Sequence, residues 1–274
     1  MLRVFGIVNV TSDSFSDGGR FLAPDAALAH AQQLLADGAD GIEVGAESTH
    51  PDAADVPATE ECARLLPVVE ALRARGVCIS VDTRKPGVMQ AMIVAGVAFV
   101  NDVDGFRTAA AMAVVAAAPP SVRFIAMFSR TESGRAQRVD LDSTGGLSDV
   151  RAFCRERITA FAAVGVARER LVLDPGMGFF LGKTAAPSLE VLRHLRDLQR
   201  EFGPLLVSVS RKSFLGEITG LPIGERGPAT LAAELWAARQ GVDWIRTHDV
   251  KAVRAAWAVE LAIAGLPSGH DPRC

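Results

Sequence analysis

Polar side chains of chemically useful types follow short apolar runs along the chain. Asp82, Asn101 and Asp174 each end such a run, and Lys212 closely follows another. Carboxylates and an amide facing a lysine form a set of hydrogen-bond acceptors and donors that suits a flat, nitrogen-rich heterocycle. Helix capping is the alternative reason for acidic and amide residues after strands. Helix capping can explain any one of these residues. It explains their joint occurrence poorly, because buried carboxylates and amides need polar partners.

A second group of such residues has the chemistry of an anion site. Arg246 and His248 follow the last apolar run, and Asn9 lies near the end of the first. An arginine fork and a histidine suit an anion, and an amide oxygen suits a divalent metal ion held by oxygen ligands. The alternatives are a capping or core histidine at position 248, a turn asparagine at position 9 and a surface lysine at position 212.

Eight apolar runs rich in Val and Ile predict the strands that position these residues. The runs are continuous rather than alternating, which is typical of parallel strands buried on both faces. In a barrel the carboxyl ends of the strands meet at one rim, where barrel enzymes carry their chemistry. The runs are residues 4–10, 41–44, 78–81, 98–100, 124–127, 171–173, 205–209 and 244–245.

Amphipathic helical segments lie between most of these runs. Strands alternating with helices favour a (β/α)8 TIM barrel, which we expect as a single domain over residues 1–266 with a disordered tail over 267–274. A doubly wound open sheet is the alternative, but no GxGxxG motif follows the first run. The predicted helices include residues 28–38, 108–118, 147–163, 188–201 and 253–264.

The composition limits the classes of partner. The 274-residue chain is 49% hydrophobic with a formal net charge of −3, so nothing electrostatic points to nucleic acid or an anionic membrane. No apolar run is long enough for a membrane span, and residues 1–11 look like a strand rather than a signal peptide. The four cysteines show no metal-binding spacing, which predicts reduced thiols and a cytoplasmic location.

Seven motifs occur in the order and approximate spacing of dihydropteroate synthase, and the chain resembles that family from residue 4 to about residue 264. The resemblance implies a TIM barrel that condenses a dihydropterin methylene pyrophosphate with p-aminobenzoate, releasing pyrophosphate. The motifs are IVNVTSDSFSDGG (7–19), ESTHP (47–51), SVDT (80–83), NDV (101–103), LDPGMGF (173–179), SRKSFLG (210–216) and RTHDV (246–250).

The resemblance also implies the roles of individual residues. Arg246, His248 and Lys212 would be the catalytic group, with Mg²⁺ held by Asn9, and residues 13–19 and 49–55 would form mobile lids. The pterin would be bound by Asp82, Asn101, Asp174 and Lys212. The pyrophosphate would be bound by Asn9, Thr49, His50, Arg246 and His248. The aminobenzoate would be framed by Phe15, Thr49, Pro51, Phe179, Phe180 and Ser210.

The sequence is most similar to the sulfonamide-insensitive branch of this family. That branch resembles it in GMGFFLG (176–182), VSVSRKSFLG (207–216) and TLAAE (230–234). Phe180 and Leu181 look like a two-residue insertion. An extra aromatic ring beside the aminobenzoate would exclude a sulfonamide drug, which is bulkier than the natural substrate. The family resemblance further implies a homodimer through the last helices, with Trp236 and Trp257 as compatible apolar residues.

Three positions depart from the family pattern. His50 stands where Arg is usual, Glu43 where Asp is usual and Phe128 where His is usual. Glu43 reads as a harmless lengthening, and the sequence offers no physical account of Phe128. Two alternatives to a synthase follow: a non-catalytic pterin-binding paralogue, favoured by His50 and Phe128, and a pterin-dependent methyltransferase, which would lack the SRKSFLG and RTHD motifs.

Overall fold

Parallel strands and α-helices alternate along the chain. The structure is a computed structural model that describes residues 2–10, 24–47, 55–130 and 146–267. The strands are β1 Arg3–Asn9, β2 Gly41–Gly45, β3 Ile79–Asp82, β4 Phe99–Asp102, β5 Arg123–Met127, β6 Leu171–Asp174, β7 Leu206–Val207 and β8 Trp244–Thr247. The helices are α1 Pro24–Ala36, α2 Ala58–Arg73, α3 Pro86–Ala95, α4 Ala109–Ala117, α5 Gly146–Ala163, α6 Ala185–Arg193, α7 Leu195–Phe202, α8 Ser213–Thr219, α9 Gly227–Arg239 and α10 Val250–Ile263.

The eight strands form one parallel sheet that closes on itself. Their order is β6-β5-β4-β3-β2-β1-β8-β7, so β1 lies between β2 and β8. A parallel bridge between Leu173 and Leu205 joins the two ends of the sheet. The predicted (β/α)8 barrel is therefore confirmed, and the open-sheet alternative is wrong.

An aromatic cluster fills the barrel near the amino ends of the strands. The rings of Phe5 and Trp244 stack with centroids 4.8 Å apart, and Phe99 meets Trp244 edge-on at 5.2 Å. Side chains two positions apart on a strand point to the same face. Asn101 on β4 and Arg246 on β8 therefore also face the interior, one step closer to the carboxyl ends. The cluster consists of Phe5, Phe99, Ile125, Val172, Leu206 and Trp244.

The helices cover the outside of the barrel through a larger apolar cluster. On α1, Ala27, Ala31 and Leu34 are buried at spacings of four and three, which is the stripe expected of a helix packed on a sheet. The predicted segment 28–38 thus has the right helical period. Its buried face is shifted by about one residue toward the amino terminus, because Leu28 and Leu35 are only partly buried.

The predicted helix 188–201 is wrong in detail, because two helices replace it. Helix α6 begins at Ala185, so Pro187 lies in its first turn, where amide groups have no acceptor within the helix. The break comes at His194, whose N–H bonds to the carbonyl of Val191 rather than to that of Glu190. The Nδ1 atom of His194 lies 2.9 Å from the Glu190 carbonyl oxygen and satisfies it.

The expectation of four reduced thiols is also wrong. Cys62 and Cys154 are free, but Cys78 is disulfide-bonded. The spacing of cysteines along a chain does not report which sulfur atoms meet in the fold, and this is why the sequence missed it. Within the described ranges, no helix is long and apolar enough to cross a membrane. Residues 268–274 of the predicted tail lie outside those ranges.

Candidate active site

A buried polar network lies directly above the aromatic cluster. The Glu43 carboxylate on β2 accepts hydrogen bonds from Ser80 Oγ at 3.1 Å and from Asn101 Nδ2 at 3.3 Å. Its other oxygen pairs with Arg246 Nη1, which also lies 3.1 Å from Asp82 Oδ2. Strands β2, β3, β4 and β8 thus each place a side chain in one charged network at the carboxyl end of the barrel.

Two acceptors in this part of the barrel have no hydrogen-bond partner among the residues that the structure describes. The Asn101 amide donates to Glu43, and this bond leaves its Oδ1 atom buried and without a hydrogen bond among the described residues. Asp174 accepts from the Gly176 N–H at 2.8 Å through Oδ1, and its Oδ2 atom is likewise buried and unpartnered. Such groups are costly unless something else satisfies them. Both therefore call for a ligand that carries N–H donors.

Lys212 is a hydrogen-bond donor close to these acceptors. Its Nζ atom lies 4.8 Å from the centroid of the Phe180 ring, a cation–π contact. Burial lowers its pKa to about 8, and the positive charge of Arg246 acts in the same direction. Lys212 is thus a donor whose charge is sensitive to pH, and the alternative of a freely solvated surface lysine is not supported.

Two carboxylates of the site, those of Asp82 and Asp174, have raised pKa values. Burial raises the pKa of Asp82 to about 6, although Arg246 beside it acts in the opposite direction. Burial also raises the pKa of Asp174 to about 6, again against the attraction of Arg246. For Arg246 itself, burial alone would lower the pKa, but the carboxylates of Glu43 and Asp82 outweigh it and raise the pKa further. Arg246 therefore stays charged, whereas the two aspartates do not stay charged at mildly acidic pH.

Ser210 and His248 form a second cluster just after the neighbouring strands β7 and β8. Ser210 Oγ lies 2.8 Å from His248 Nδ1 and accepts the His248 backbone N–H at 3.3 Å. Burial lowers the pKa of His248 to about 4, and Arg211, Arg246 and Lys212 act in the same direction. The imidazole is thus neutral at physiological pH, in a positively charged part of the barrel mouth.

A turn after β7 places two residues of one short segment in different parts of the site. Arg211 has a φ of 58°, the left-handed region that side chains other than Gly rarely adopt. Its N–H donates to Thr230 Oγ1 at 3.0 Å, which anchors the turn to α9. The turn separates Ser210, which contacts His248, from Lys212, which contacts Phe180.

The two predicted groups of residues are not separate in the structure. Arg246, expected among the anion ligands, contacts Asp82 of the pterin group, and its Nε atom lies 3.2 Å from Ser208 Oγ. Asn9 is exposed at the end of β1, next to Gly45 in register. The remaining predicted site residues lie outside the described ranges: Phe15, Thr49, His50 and Pro51.

The neighbouring aromatic residues Phe179 and Phe180 pack against the wall of the site. Phe180 is buried with Val103 and Met127, and Phe179 packs against the same cluster. Asp102 holds the loop that carries Val103, because its carboxylate accepts the Asp104 N–H at 2.9 Å and the Phe106 N–H at 2.7 Å. Phe180 thus contacts Lys212 on one side and the loop after β4 on the other.

The structure accounts for two of the three departures. Glu43 joins Ser80, Asn101 and Arg246 in the buried network, which gives the longer side chain a structural role. Reasoning from sequence overlooked this network, although an acidic residue inside an apolar strand was a usable signal.

Phe128 is buried, and its ring centroid lies 5.5 Å from that of Phe153. The Arg107 guanidinium lies over both rings, so this site favours an aromatic hydrocarbon over a second cationic group.

Fold and site together define a barrel enzyme whose mouth binds a flat, nitrogen-rich ring. The family model for pterin binding enzymes matches residues 5–248. The type-2 dihydropteroate synthase of Escherichia coli is 47% identical over 263 residues, covering 96% of each chain.

Solved structures agree with this match. Xanthomonas albilineans dihydropteroate synthase with 4-aminobenzoic acid superposes with a TM-score of 0.86 at 40% identity, covering 97% of this chain and 94% of that one. The Burkholderia cenocepacia enzyme complexed with 7,8-dihydropteroate gives 0.84 at 36% identity, covering 97% and 92%. The chain therefore belongs to the pterin-binding enzymes and, within them, to the dihydropteroate synthase family, which confirms the resemblance seen in its motifs.

Proposed function

We propose that this chain condenses a 7,8-dihydropterin methylene pyrophosphate with p-aminobenzoate to give dihydropteroate and pyrophosphate. The observation that carries the proposal is the pair of buried, unpartnered acceptors, Asn101 Oδ1 and Asp174 Oδ2, close to the donor Lys212. The amino and ring N–H groups of a pterin would satisfy the two acceptors, and its carbonyl edge would accept from Lys212. The ligands in the Xanthomonas and Burkholderia structures are a substrate and the product of this reaction.

The reaction is a substitution at the methylene carbon of the pterin. Asp82, Asn101 and Asp174 hold the ring, and Arg246 and His248 stabilise the negative charge that develops on the departing pyrophosphate. The amine of p-aminobenzoate then forms the new C–N bond, so no covalent intermediate with the enzyme is needed. The ring-binding residues act by orienting the carbon for attack.

Asn9 is the residue through which a magnesium ion would contact the protein. An exposed amide oxygen at the end of β1 fits an ion that takes few protein ligands and several phosphate and water oxygens. The described residues contain no group of three His, Cys, Asp or Glu able to hold a metal ion, which is consistent with such an ion arriving with the pyrophosphate substrate. When bound, it would supply charge neutralisation at the leaving group.

Pyrophosphate release tests the proposed reaction. Purified protein is incubated with dihydropterin pyrophosphate and Mg²⁺, with and without p-aminobenzoate. We expect release that depends on p-aminobenzoate, and loss of it in Asp174→Asn but not in Asp197→Asn, which alters an exposed residue of α7. Absence of release from the wild-type protein, with pterin binding retained, would instead identify a non-catalytic paralogue.

Insensitivity to sulfonamides is the second part of the proposal. Phe180 supports it, because a buried ring held between Lys212 and the loop after β4 has little freedom to move aside. The smaller natural substrate would fit beside Phe179, Phe180 and Ser210, whereas the substituent of the drug would not. Inhibition by sulfamethoxazole at concentrations that inhibit an ordinary bacterial synthase would contradict this part.

We also propose that the chain forms a homodimer through α9 and α10. Val259, Ile263 and Leu266 lie on or just after α10 at spacings of four and three, and 59%, 80% and 57% of their surfaces are exposed. Trp236 on α9 is 44% exposed and is a further apolar residue on these helices. Sedimentation analysis of the wild type and of Ile263→Glu tests this, with a dimer expected for the first and a monomer for the second.

A further inference from the structure

The contact between Ser210 and His248 has a defined polarity. Ser210 Oγ accepts the backbone N–H of His248 at 3.3 Å and lies 2.8 Å from the Nδ1 atom of the same residue. A serine hydroxyl has one proton to donate. Among the described residues, Nδ1 is the only other hydrogen-bonding atom that Ser210 Oγ reaches. Nδ1 is therefore the one acceptor that the hydroxyl proton has among the described residues, and the arrangement that satisfies this buried donor makes Nδ1 an acceptor.

The charge state of the ring supports the same polarity. Burial and the cations Arg211, Arg246 and Lys212, with a smaller effect of His30, favour the neutral imidazole. A neutral imidazole that accepts at Nδ1 carries its proton on Nε2. Ser210 is itself buried, so solvent offers its hydroxyl little competition.

We propose that Ser210 is a positioning residue that fixes His248 as its Nε2–H tautomer, so that His248 meets the leaving pyrophosphate as a neutral hydrogen-bond donor. This rests on the proposed synthase reaction and assigns Ser210 a role distinct from framing the aminobenzoate. No proton is transferred in this step, because loss of the Nε2 proton would leave an imidazolate anion. The C–O bond breaks, its electron pair stays on the pyrophosphate oxygen, and Arg246 supplies the permanent positive charge.

The tautomer can be measured without any activity. In full-length protein labelled with ¹⁵N-histidine, long-range ¹H–¹⁵N spectra distinguish a protonated from an unprotonated ring nitrogen. His194 is an internal reference, because its Nδ1 atom lies 2.9 Å from a carbonyl oxygen and must carry a proton. We expect His248 to show the opposite pattern, and the signal missing from His248→Gln assigns it. A protonated Nδ1 on neutral His248 would overturn the proposal.

Substitution of Ser210 tests the cause of the tautomer. In Ser210→Ala we expect mixed tautomers of His248, and in Ser210→Thr, which keeps a hydroxyl, we expect the Nε2–H form again. An unchanged His248 spectrum in Ser210→Ala would refute the assigned role. The spectrum is read on the protein alone, so the result stands apart from whether the protein turns over substrate.

Binding and kinetics then separate the two possible roles of Ser210. Inorganic pyrophosphate with Mg²⁺ should shift the Nε2–H signal of His248 and bind about three- to tenfold more weakly to Ser210→Ala, the loss of about one hydrogen bond. In the active enzyme the same variant should raise the KM for the pterin pyrophosphate by a larger factor than the KM for aminobenzoate. A rise confined to the KM for aminobenzoate would contradict the proposal.

Discussion

The Nη1 atom of Arg246 lies 3.1 Å from the Oδ2 atom of Asp82, so a cation of β8 and a carboxylate of β3 meet inside the barrel mouth. The same nitrogen pairs with Glu43 of β2. Arg246 is thus held by two carboxylates before any substrate arrives. Its position depends on the residues that we expect to bind the pterin, which couples the two halves of the proposed site.

Removal of the negative charge of Glu43 should destabilise the fold. Glu43→Gln leaves Arg246 with Asp82 as its one acidic partner in the described network, and loss of one partner of a buried ion pair costs about 3–5 kcal/mol. Urea denaturation at pH 7 measures the change. Glu260→Gln is the control, since its ion pair with Arg239 is exposed and we expect a much smaller effect. Equal losses in the two variants would show that Arg246 does not depend on Glu43.

Pterin affinity should have a maximum between about pH 6 and pH 8. Asp82 and Asp174, with pKa values of about 6, accept more strongly from the pterin when ionised, so affinity falls as the pH drops through 6. Lys212, with a pKa of about 8, loses its charge above that pH, so affinity also falls on the alkaline side.

Titration calorimetry with 6-hydroxymethyl-7,8-dihydropterin measures this profile, because that ligand has no phosphate whose own titration would overlap. Lys212→Arg is the matched variant, since a guanidinium stays charged to higher pH. It should lose the alkaline decline and keep the acidic one. A flat profile in the wild type would contradict the assignment of these three residues to the pterin.

The buried Glu234 on α9 should make the protein less stable as the pH rises. Burial raises its pKa to about 8, against a hydrogen bond with the Thr247 side chain. Between about pH 4.3, where an unfolded glutamate ionises, and pH 8, the folded state keeps a proton that the unfolded state has lost, so unfolding becomes easier with rising pH. Above pH 8 both states are ionised and the dependence ends.

Glu234→Gln removes this titration and keeps the shape of the side chain. Its free energy of unfolding relative to wild type should therefore increase between pH 5 and pH 8, by on the order of a few kcal/mol. Glu217→Gln on α8 alters an exposed carboxylate and should show no such trend. If the two variants behave alike in urea titrations at pH 5, 6.5 and 8, Glu234 is not protonated in the fold.

Phe180 should decide drug discrimination. Phe180→Ala opens space beside Lys212, and we expect sulfamethoxazole to bind about tenfold tighter or more, a difference typical of a few methylene-sized contacts. The KM for p-aminobenzoate should change less than the inhibition constant. Phe179→Ala, measured in parallel, shows whether the neighbouring ring contributes, and the KM for the pterin substrate reports any loss from the contact with Lys212.

The linear sequence was sufficient for the fold and for the types of group in the site. Continuous apolar runs predict buried parallel strands because each strand is covered on both faces, and all eight runs coincide with observed strands to within a few residues. The polar residues that follow them must meet at one rim once the barrel closes. Asp82, Asn101, Asp174 and Lys212 could be selected as candidate site residues for this reason.

Only the tertiary structure decided how these groups are partnered. The pairing of Glu43 with Arg246 joins residues 203 positions apart, and the bond of Ser210 to His248 joins residues 38 apart. Closure of the barrel sets such distances, and no local pattern along the chain records them. The same holds for the disulfide at Cys78 and for the break at His194. Residue types and strand order are properties of the sequence, whereas protonation, tautomer and hydrogen-bond partner follow from burial and proximity in the folded chain.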